Sequence, residues 1–297
     1  MSHVLNEQAS VEFQETVEFL CSVPDLVIAL DLEGVDLGRD GSIEIVSIAT
    51  NELKESPDEP STVLLLDVQD LGKEDSLICS LRQLLEHAEC VIHDCRQDCD
   101  ALYHILGIEI ASVFDTAAAH SVFSRGARSP NLNTVLEANG LRPNFARIGI
   151  NYTKYHNYWR TRPVTDEMVA HASGDVAQLL ELYDLQLSKA DKNGLLDAIK
   201  QESNRRKDLL RLMHTEWVRC VMPMGKFIGT RGCNMHAHEQ ATKCFFYGRG
   251  AQEQRQSGFL VYYPDNKSLQ YAKRELGHRV VPTLAPCANV FATQQTM

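Results

Sequence analysis

Short apolar runs alternate with amphipathic segments through the first 190 residues of the chain. The apolar runs predict strands at 27–36, 43–50, 62–68, 90–93 and 113–114. Helical periodicity predicts helices at 10–20, 76–87, 116–123, 131–138 and 166–187, and a further helix that follows Asp94 and ends near Gly107. Three strands in a row, followed by strands that alternate with helices, predict an α/β domain over residues 10–190.

The last third of the chain has a different pattern. Residues 191–216 are charged and helical, and we interpret them as a connecting helix. A smaller α+β domain is predicted at 217–280, in the order strand, helix, Gly-x-x-Gly turn, helix, strand, strand, helix. Residues 281–297 predict a disordered tail.

Composition excludes several classes of protein. Of the 297 residues 44% are hydrophobic, yet no run approaches the roughly 20 apolar residues of a membrane span. The first residues lack the basic start and apolar run of a signal peptide. Nine cysteines without a Cys-x-x-Cys pair favour a reducing compartment, so we expect an intracellular protein, cytoplasmic or nuclear, that does not enter membranes.

Charge is distributed unevenly along the chain. Residues 1–190 carry 13 basic and 31 acidic side chains, whereas residues 191–297 carry 16 and 9. The acidic part suits a metal site, and the basic part suits a polyanion such as nucleic acid. The alternative is that both parts have ordinary solvated surfaces.

The most informative feature is a pair of carboxylates inside the first apolar strand. Asp31 and Glu33 are two residues apart in Val-Ile-Ala-Leu-Asp-Leu-Glu, so their side chains point to the same face. Two like charges on one partly buried face are costly unless a cation bridges them. A hard divalent ion held by oxygen ligands is the usual bridge, so this strand predicts a metal site.

Further ligands are expected after the fourth strand and in the last helix of the domain. Asp94 is a natural helix N-cap, and spacing alone does not decide between Asp98 and Asp100 as a ligand. His171 and Asp175 are four residues apart on a helix and face the same side. They form either a wall of the site or a satisfied pair that closes a helix.

Together these motifs resemble the DEDD-superfamily 3′–5′ exonucleases, in the RNase D-like branch, over roughly residues 10–190. The resemblance rests on Asp31-x-Glu33, on Asp98 five residues after a strand that ends in His, on Phe114-Asp115-Thr116, on Trp159-x-x-Arg162-Pro163 and on Asp175. It implies a ribonuclease H-like mixed β-sheet with flanking helices, and it makes Asp115 a helix N-cap. The Leu-Glu-Gly-Val-Asp-Leu-Gly and His-Asp-Cys stretches look closest to the Egalitarian- and EXD-like subgroup.

The resemblance also implies a mechanism. Asp31, Glu33, Asp98 and Asp175 would hold two Mg²⁺ or Mn²⁺ ions that hydrolyse single-stranded RNA, or DNA, from its 3′ end to nucleoside 5′-monophosphates. His171 stands where the RNase D branch has the Tyr that positions the attacking water, and a His can act there as a general base. The alternative is a catalytically weak or inactive RNA-binding adaptor with the exonuclease fold.

The small second domain resembles a KH domain of the eukaryotic type (type I). The resemblance rests on the element order and on a basic Gly-x-x-Gly turn made by Lys226, Gly229, Thr230, Arg231 and Gly232. It implies that this turn clamps about four nucleotides of a single strand. An exonuclease joined to a KH domain is similar to plant-type proteins of that composition, and the alternative is an α+β domain with an ordinary glycine-rich turn.

Overall fold

The chain divides into two compact units, Met1–Leu212 and Met213–Met297. The computed structural model describes residues 2–5, 9–124, 130–147, 155–249 and 258–278. Among these residues, no helix combines the length and the apolar character needed to cross a bilayer. The tail expected at 281–297 lies outside the described residues.

A six-stranded mixed sheet forms the centre of the first unit. Its strands are β1 (Ser2–Leu5), β2 (Val27–Val35), β3 (Ser42–Thr50), β4 (Thr62–Asp67), β5 (Glu89–Ile92) and β6 (Ser112–Asp115). They lie in the order β1-β4-β3-β2-β5-β6, with β3 antiparallel to both neighbours and the other pairs parallel. The α/β fold with a mixed sheet, expected from the strand and helix pattern, is confirmed.

Helices cover both faces of this sheet. They are α1 (Ser10–Leu20), α2 (Ser76–His87), α3 (Arg96–Ala101) with a π-helical turn at Leu102–Leu106, α4 (Thr116–Phe123), α5 (Leu132–Ala138), α6 (Asp166–Val176), α7 (Leu179–Asn193) and α8 (Leu196–Leu209). Apolar residues of α1 and α2 pack with Ile28 and Leu30 on one face. Residues of α4 to α8 pack with Ala29 and Ile45 on the other.

Three local predictions were wrong. Asp94 does not cap α3: it has φ of 63°, and Cys95 occupies the N-cap position without a side-chain cap. The helix expected at 166–187 is two helices, α6 and α7. The segment 191–216 is not one connecting helix, because it contains the end of α7, then α8, whose Ile199 is buried in the first unit's core, and the start of the next strand.

The second unit is a small α+β structure. Its elements are β7 (His214–Arg219), α9 (Met224–Ile228), a 3₁₀ turn at Thr230–Gly232, α10 (Cys233–Thr242), β8 (Phe245–Arg249), β9 (Gly258–Tyr263) and α11 (Asn266–Glu275). The strands form an antiparallel sheet in the order β7-β9-β8. Phe227, Phe246, Phe259 and Leu269 are buried in its core.

Candidate active site

Strand β2 carries the first two carboxylates of the site. Strand residues alternate between faces, and Ala29 belongs to the core on the α6 side, whereas Leu30 belongs to the core on the opposite side. Asp31 and Glu33 therefore share the face of Ala29 and point towards α6. The ladder with β3 shifts directly after Glu33, which marks the end of regular pairing beside the carboxylates.

Helix α3 adds a third carboxylate. Asp98 is 6% exposed and lines an open cavity of about 370 Å³ together with Asp31, Glu33 and Trp159. Burial raises the pKa of Asp98 to about 7, and the charges of Asp94 and Asp115 act in the same direction. Ionising a buried carboxyl group is unfavourable when no positive charge is near it. A bound cation would favour the ionised form of Asp98 and lower its pKa.

Asp100, only two residues further along α3, has a different environment. Its side chain is fully buried and pairs with Arg39, whose Nη2 lies 2.7 Å from one carboxylate oxygen and whose backbone N–H donates to the other at 2.9 Å. Arg39 Nη2 also donates to the carbonyl oxygen of Leu210 at 2.6 Å. The structure thus places Asp98 in the cavity and gives Asp100 an arginine partner.

Helix α6 brings the last two predicted residues to the same place. His171 Nε2 lies 3.4 Å from Asp175 Oδ2 and 3.6 Å from Glu33 Oε1. Ligand atoms of Glu33, His171 and Asp175 lie within 4.8 Å of one another. Oxygen and imidazole donors gathered in this way fit a divalent cation.

The family model for 3′–5′ exonucleases matches residues 7–189, which is well over half of the chain. The chain belongs to this 3′–5′ exonuclease family. The resemblance to RNase D-like DEDD exonucleases is confirmed at that level, and the Egalitarian- and EXD-like subgroup stays a prediction.

Two curated proteins and one solved structure illustrate what this chain is similar to. Ribonuclease D of Gluconacetobacter diazotrophicus is 27% identical over 171 residues, 53% of this chain and 40% of the relative. Ribonuclease D of Nitrobacter hamburgensis is 29% identical over 150 residues, 50% of this chain and 36% of the relative. The matched regions thus cover less than half the length of these relatives. Trypanosoma brucei RNase D in complex with RNA U12 aligns with a TM-score of 0.55 at 21% identity over 69% of each chain, which shows a shared nuclease core fold.

The tryptophan of the Trp-x-x-Arg-Pro segment lines the cavity. Trp159 is buried and packs edge-on against the His171 ring, with centroids 5.3 Å apart. Arg162 donates to the carbonyl oxygen of Trp159 at 2.7 Å and to both carboxylate oxygens of Asp67, at the end of β4, at 2.7 and 2.5 Å. The arginine thereby anchors the tryptophan, which restricts the orientation of His171.

Asp115 caps helix α4 and also supports the approach to α3. One of its carboxylate oxygens accepts from the backbone N–H groups of Ala117 and Ala118 at 2.8 and 3.1 Å. The carboxylate also accepts from the N–H groups of Asp94 and Cys95 at 3.0 and 3.3 Å. It therefore fixes the turn that precedes Asp98.

In the second unit, the predicted Gly-x-x-Gly turn joins α9 to α10. Gly229 has φ of 71°, and a Cβ there would lie 2.7 Å from the Asn234 side chain. Gly232 has φ of 75°. Both positions therefore favour glycine, and Lys226 and Thr230 beside them are exposed. The Arg231 side chain lies outside the described part of the chain.

Sequence reasoning missed one residue that contacts the candidate ligand Asp175. Asn144 donates a hydrogen bond from Nδ2 to Asp175 Oδ1 at 2.9 Å. It lies 31 residues before its partner in an irregular segment, so neither periodicity nor charge singles it out. The only signal is indirect: Gly174, inside the α6 pattern, indicates that something approaches the helix closely.

Proposed function

We propose that this chain is a metal-dependent 3′–5′ exoribonuclease that degrades single-stranded RNA to nucleoside 5′-monophosphates. The observation that carries the proposal is that carboxylates from two elements line one cavity and that one of them, Glu33, lies beside the His171 and Asp175 side chains of a third element. Asp31 and Glu33 come from β2 and Asp98 from α3, and all three line the cavity. Asp175 of α6 lies beside them, because its ligand atom and those of His171 and Glu33 are within 4.8 Å of one another.

The residues fit two divalent cations, with Asp31, Glu33, Asp98 and Asp175 as the proposed ligands. An all-oxygen carboxylate set suits Mg²⁺ or Mn²⁺. The high pKa of the buried Asp98 adds a physical reason for a cation, because ionised Asp98 needs a positive partner. When bound, two such ions activate a water for in-line attack and stabilise charge on the leaving 3′-oxygen.

The protein's own side chains would orient the reaction. Trp159 walls the cavity and holds the imidazole of His171 edge-on. His171 Nε2 is the ring atom that faces the carboxylates, so it is the atom that can hold the attacking water or accept its proton. In this proposal His171 takes the part that the resemblance gives to Tyr.

We also propose that the second unit is a KH domain that binds the single-stranded substrate. The β-α-α-β-β-α order, the antiparallel order β7-β9-β8 and the glycine turn between the first two helices support this proposal. Exposed Lys226 adds positive charge beside the turn, which favours phosphate. RNA is favoured as substrate because the similar curated proteins are ribonucleases D and the similar trypanosome enzyme was crystallised with RNA.

A nuclease assay tests the catalytic proposal directly. Single-stranded RNA and DNA of equal sequence, labelled at the 5′ end, are incubated with full-length protein and Mg²⁺, Mn²⁺ or EDTA. We expect a ladder that shortens from the 3′ end on RNA, requires the metal and disappears in Asp31→Asn. Metal-independent products, or products unchanged in Asp31→Asn, would refute two-metal catalysis, and RNA binding without cleavage would favour the adaptor.

A further inference from the structure

Asn144 links two points on the helix that carries Asp175. It is 8% exposed, and its Nδ2 donates to Asp175 Oδ1 at 2.9 Å and to the carbonyl oxygen of His171 at 3.1 Å. Its Oδ1 accepts from the N–H of Ala146 at 3.0 Å. The amide is therefore held at both ends, and its orientation with Nδ2 towards Asp175 follows from these partners.

The backbone of Asn144 is held as well. Its N–H donates to Asn133 Oδ1 at 2.8 Å, and its carbonyl oxygen accepts from Asn133 Nδ2 at 3.1 Å. Asn133 belongs to α5, so a second helix fixes the position from which Asn144 reaches Asp175. A side chain supported in this way loses little further freedom when it orients a neighbour.

Gly174 makes room for this contact. A Cβ at position 174 would lie 2.5 Å from both Nδ2 and Oδ1 of Asn144, which is closer than real Cβ contacts. Glycine inside a helix is destabilising relative to alanine. The close approach of Asn144 gives a physical reason for a glycine next to the carboxylate.

The two oxygens of the Asp175 carboxylate make different contacts. Oδ1 accepts from Asn144, while Oδ2 lies on the side of His171 Nε2, at 3.4 Å. The two oxygens of this carboxylate therefore have different neighbours, and Oδ2 is the one that lies towards His171. Mg²⁺ requires short, near-octahedral contacts, whereas the larger Ca²⁺ readily accepts both oxygens of a carboxylate.

We propose that Asn144 is a positioning residue that orients Asp175 for one-oxygen binding of a small divalent ion and thereby disfavours Ca²⁺. The inference rests on the proposed two-metal function, because Asp175 is a metal ligand only within it. It goes beyond that function by assigning part of the metal selectivity to a residue that touches no metal.

The test measures metal binding to full-length, metal-free protein by titration calorimetry with Mn²⁺ and with Ca²⁺. We expect Asn144→Ala to weaken Mn²⁺ binding by about 10–100-fold, as for other residues that support metal ligands. Ca²⁺ binding should weaken less, so that the ratio of Mn²⁺ affinity to Ca²⁺ affinity falls. Gly174→Ala, which displaces Asn144 without removing it, should change the ratio in the same direction.

Two further variants separate this role from a purely structural one. Asn144→Leu keeps the approximate size of the side chain but has no N–H donor and adds no charge, so it should also lower the ratio of Mn²⁺ to Ca²⁺ affinity while the protein stays folded. Gln178→Ala is the matched control, because Gln178 clamps the backbone of Arg142 in the same segment through two hydrogen bonds, at 3.1 and 2.5 Å. It should bind both ions as the parent does.

The outcomes distinguish the inference from the proposed function. Equal losses for Mn²⁺ and Ca²⁺ in the Asn144 variants, parental binding in Asn144→Leu, or the same change in Gln178→Ala would overturn the positioning role. A parent that binds no Mn²⁺ and cuts no RNA would instead overturn the two-metal function itself.

Discussion

Asp98 and Asp100 lie two residues apart on α3, and the structure predicts opposite consequences when each is changed to Asn. Asp98 lines the cavity with Asp31 and Glu33, whereas Asp100 is buried against Arg39. Asp98→Asn should remove catalysis and leave the fold intact. Asp100→Asn should damage the fold first.

The magnitude for Asp100 follows from its partner. Arg39 Nη2 and Nε lie 2.7 and 3.0 Å from Asp100 Oδ1, and the arginine side chain is only 12% exposed. Removing one partner of a buried ion pair leaves a buried charge without compensation and costs about 3–5 kcal/mol. For a unit of this size that corresponds to a fall in Tm of about 6–20 °C.

The substitution Asp98→Asn should have the opposite effect on the stability of the metal-free protein. Burial raises the pKa of Asp98 to about 7, so at pH 8 the metal-free fold contains an ionised group that it disfavours. Asparagine has similar size and no charge. We therefore expect Asp98→Asn to unfold at or above the parental temperature in EDTA, while hydrolysis with Mn²⁺ falls to the detection limit because a ligand is lost.

Two measurements on the same preparations test this assignment. Thermal unfolding is followed in EDTA, and RNA hydrolysis is measured with Mn²⁺ at 20 °C. Asp100→Asn should retain hydrolysis in proportion to its folded fraction. If Asp100→Asn unfolds with the parent but does not cut RNA, or if Asp98→Asn cuts at the parental rate, the assignment of the two aspartates is wrong.

Three further predictions concern the rest of the molecule. Replacing Thr230 and Arg231 together with Asp should weaken single-stranded RNA binding at least about tenfold in a filter assay at fixed salt, because negative charge would face phosphates; unchanged affinity would remove the turn from RNA binding. His171→Ala should lower turnover by roughly 10²–10⁴-fold and His171→Tyr should retain activity, whereas equal rates for parent and His171→Ala would exclude a chemical role. Because the folded pKa of Asp98 lies above its ordinary value, the metal-free protein should lose stability as pH rises from about 4 to 7, and chemical denaturation of Asp98→Asn should show a flatter profile across that window.

Local periodicity was sufficient where a segment buries one apolar face. Helices α1, α2 and α4 span the residues that the sequence predicts, and the alternation in β2 correctly puts Asp31 and Glu33 on one face. Periodicity failed at α8, whose buried stripe is Ile199, Ser203 and Arg206. Two of these three residues are polar, so a helix that belongs to the first unit has the pattern of a solvated connector.

Polar burial depends on partners that the local sequence does not name. Ser203 Oγ accepts from the N–H of Asp115 at 3.0 Å, and Arg206 Nη1 lies 3.6 Å from Asp115 Oδ2, although both residues lie about 90 positions after Asp115 in the chain. The same holds for the choice between Asp98 and Asp100, which is decided by Arg39. Charge and spacing could nominate candidates, but only the tertiary partners separate a cavity carboxylate from a buried ion pair.

The sequence therefore reveals the proposed metal ligands of the candidate site more readily than the residues that support those ligands. The metal ligands proposed here are carboxylates, whose chemistry makes them visible in the sequence even when the role of each one is ambiguous. A residue that supports such a ligand needs only one donor at the right distance, as in the hydrogen bond from Asn144 to Asp175, and many residue types supply a donor. Gly174 is the sequence signal of the supporting residue Asn144. A glycine inside a helix indicates that a neighbour approaches closely, and here Asn144 occupies the space that a Cβ would need.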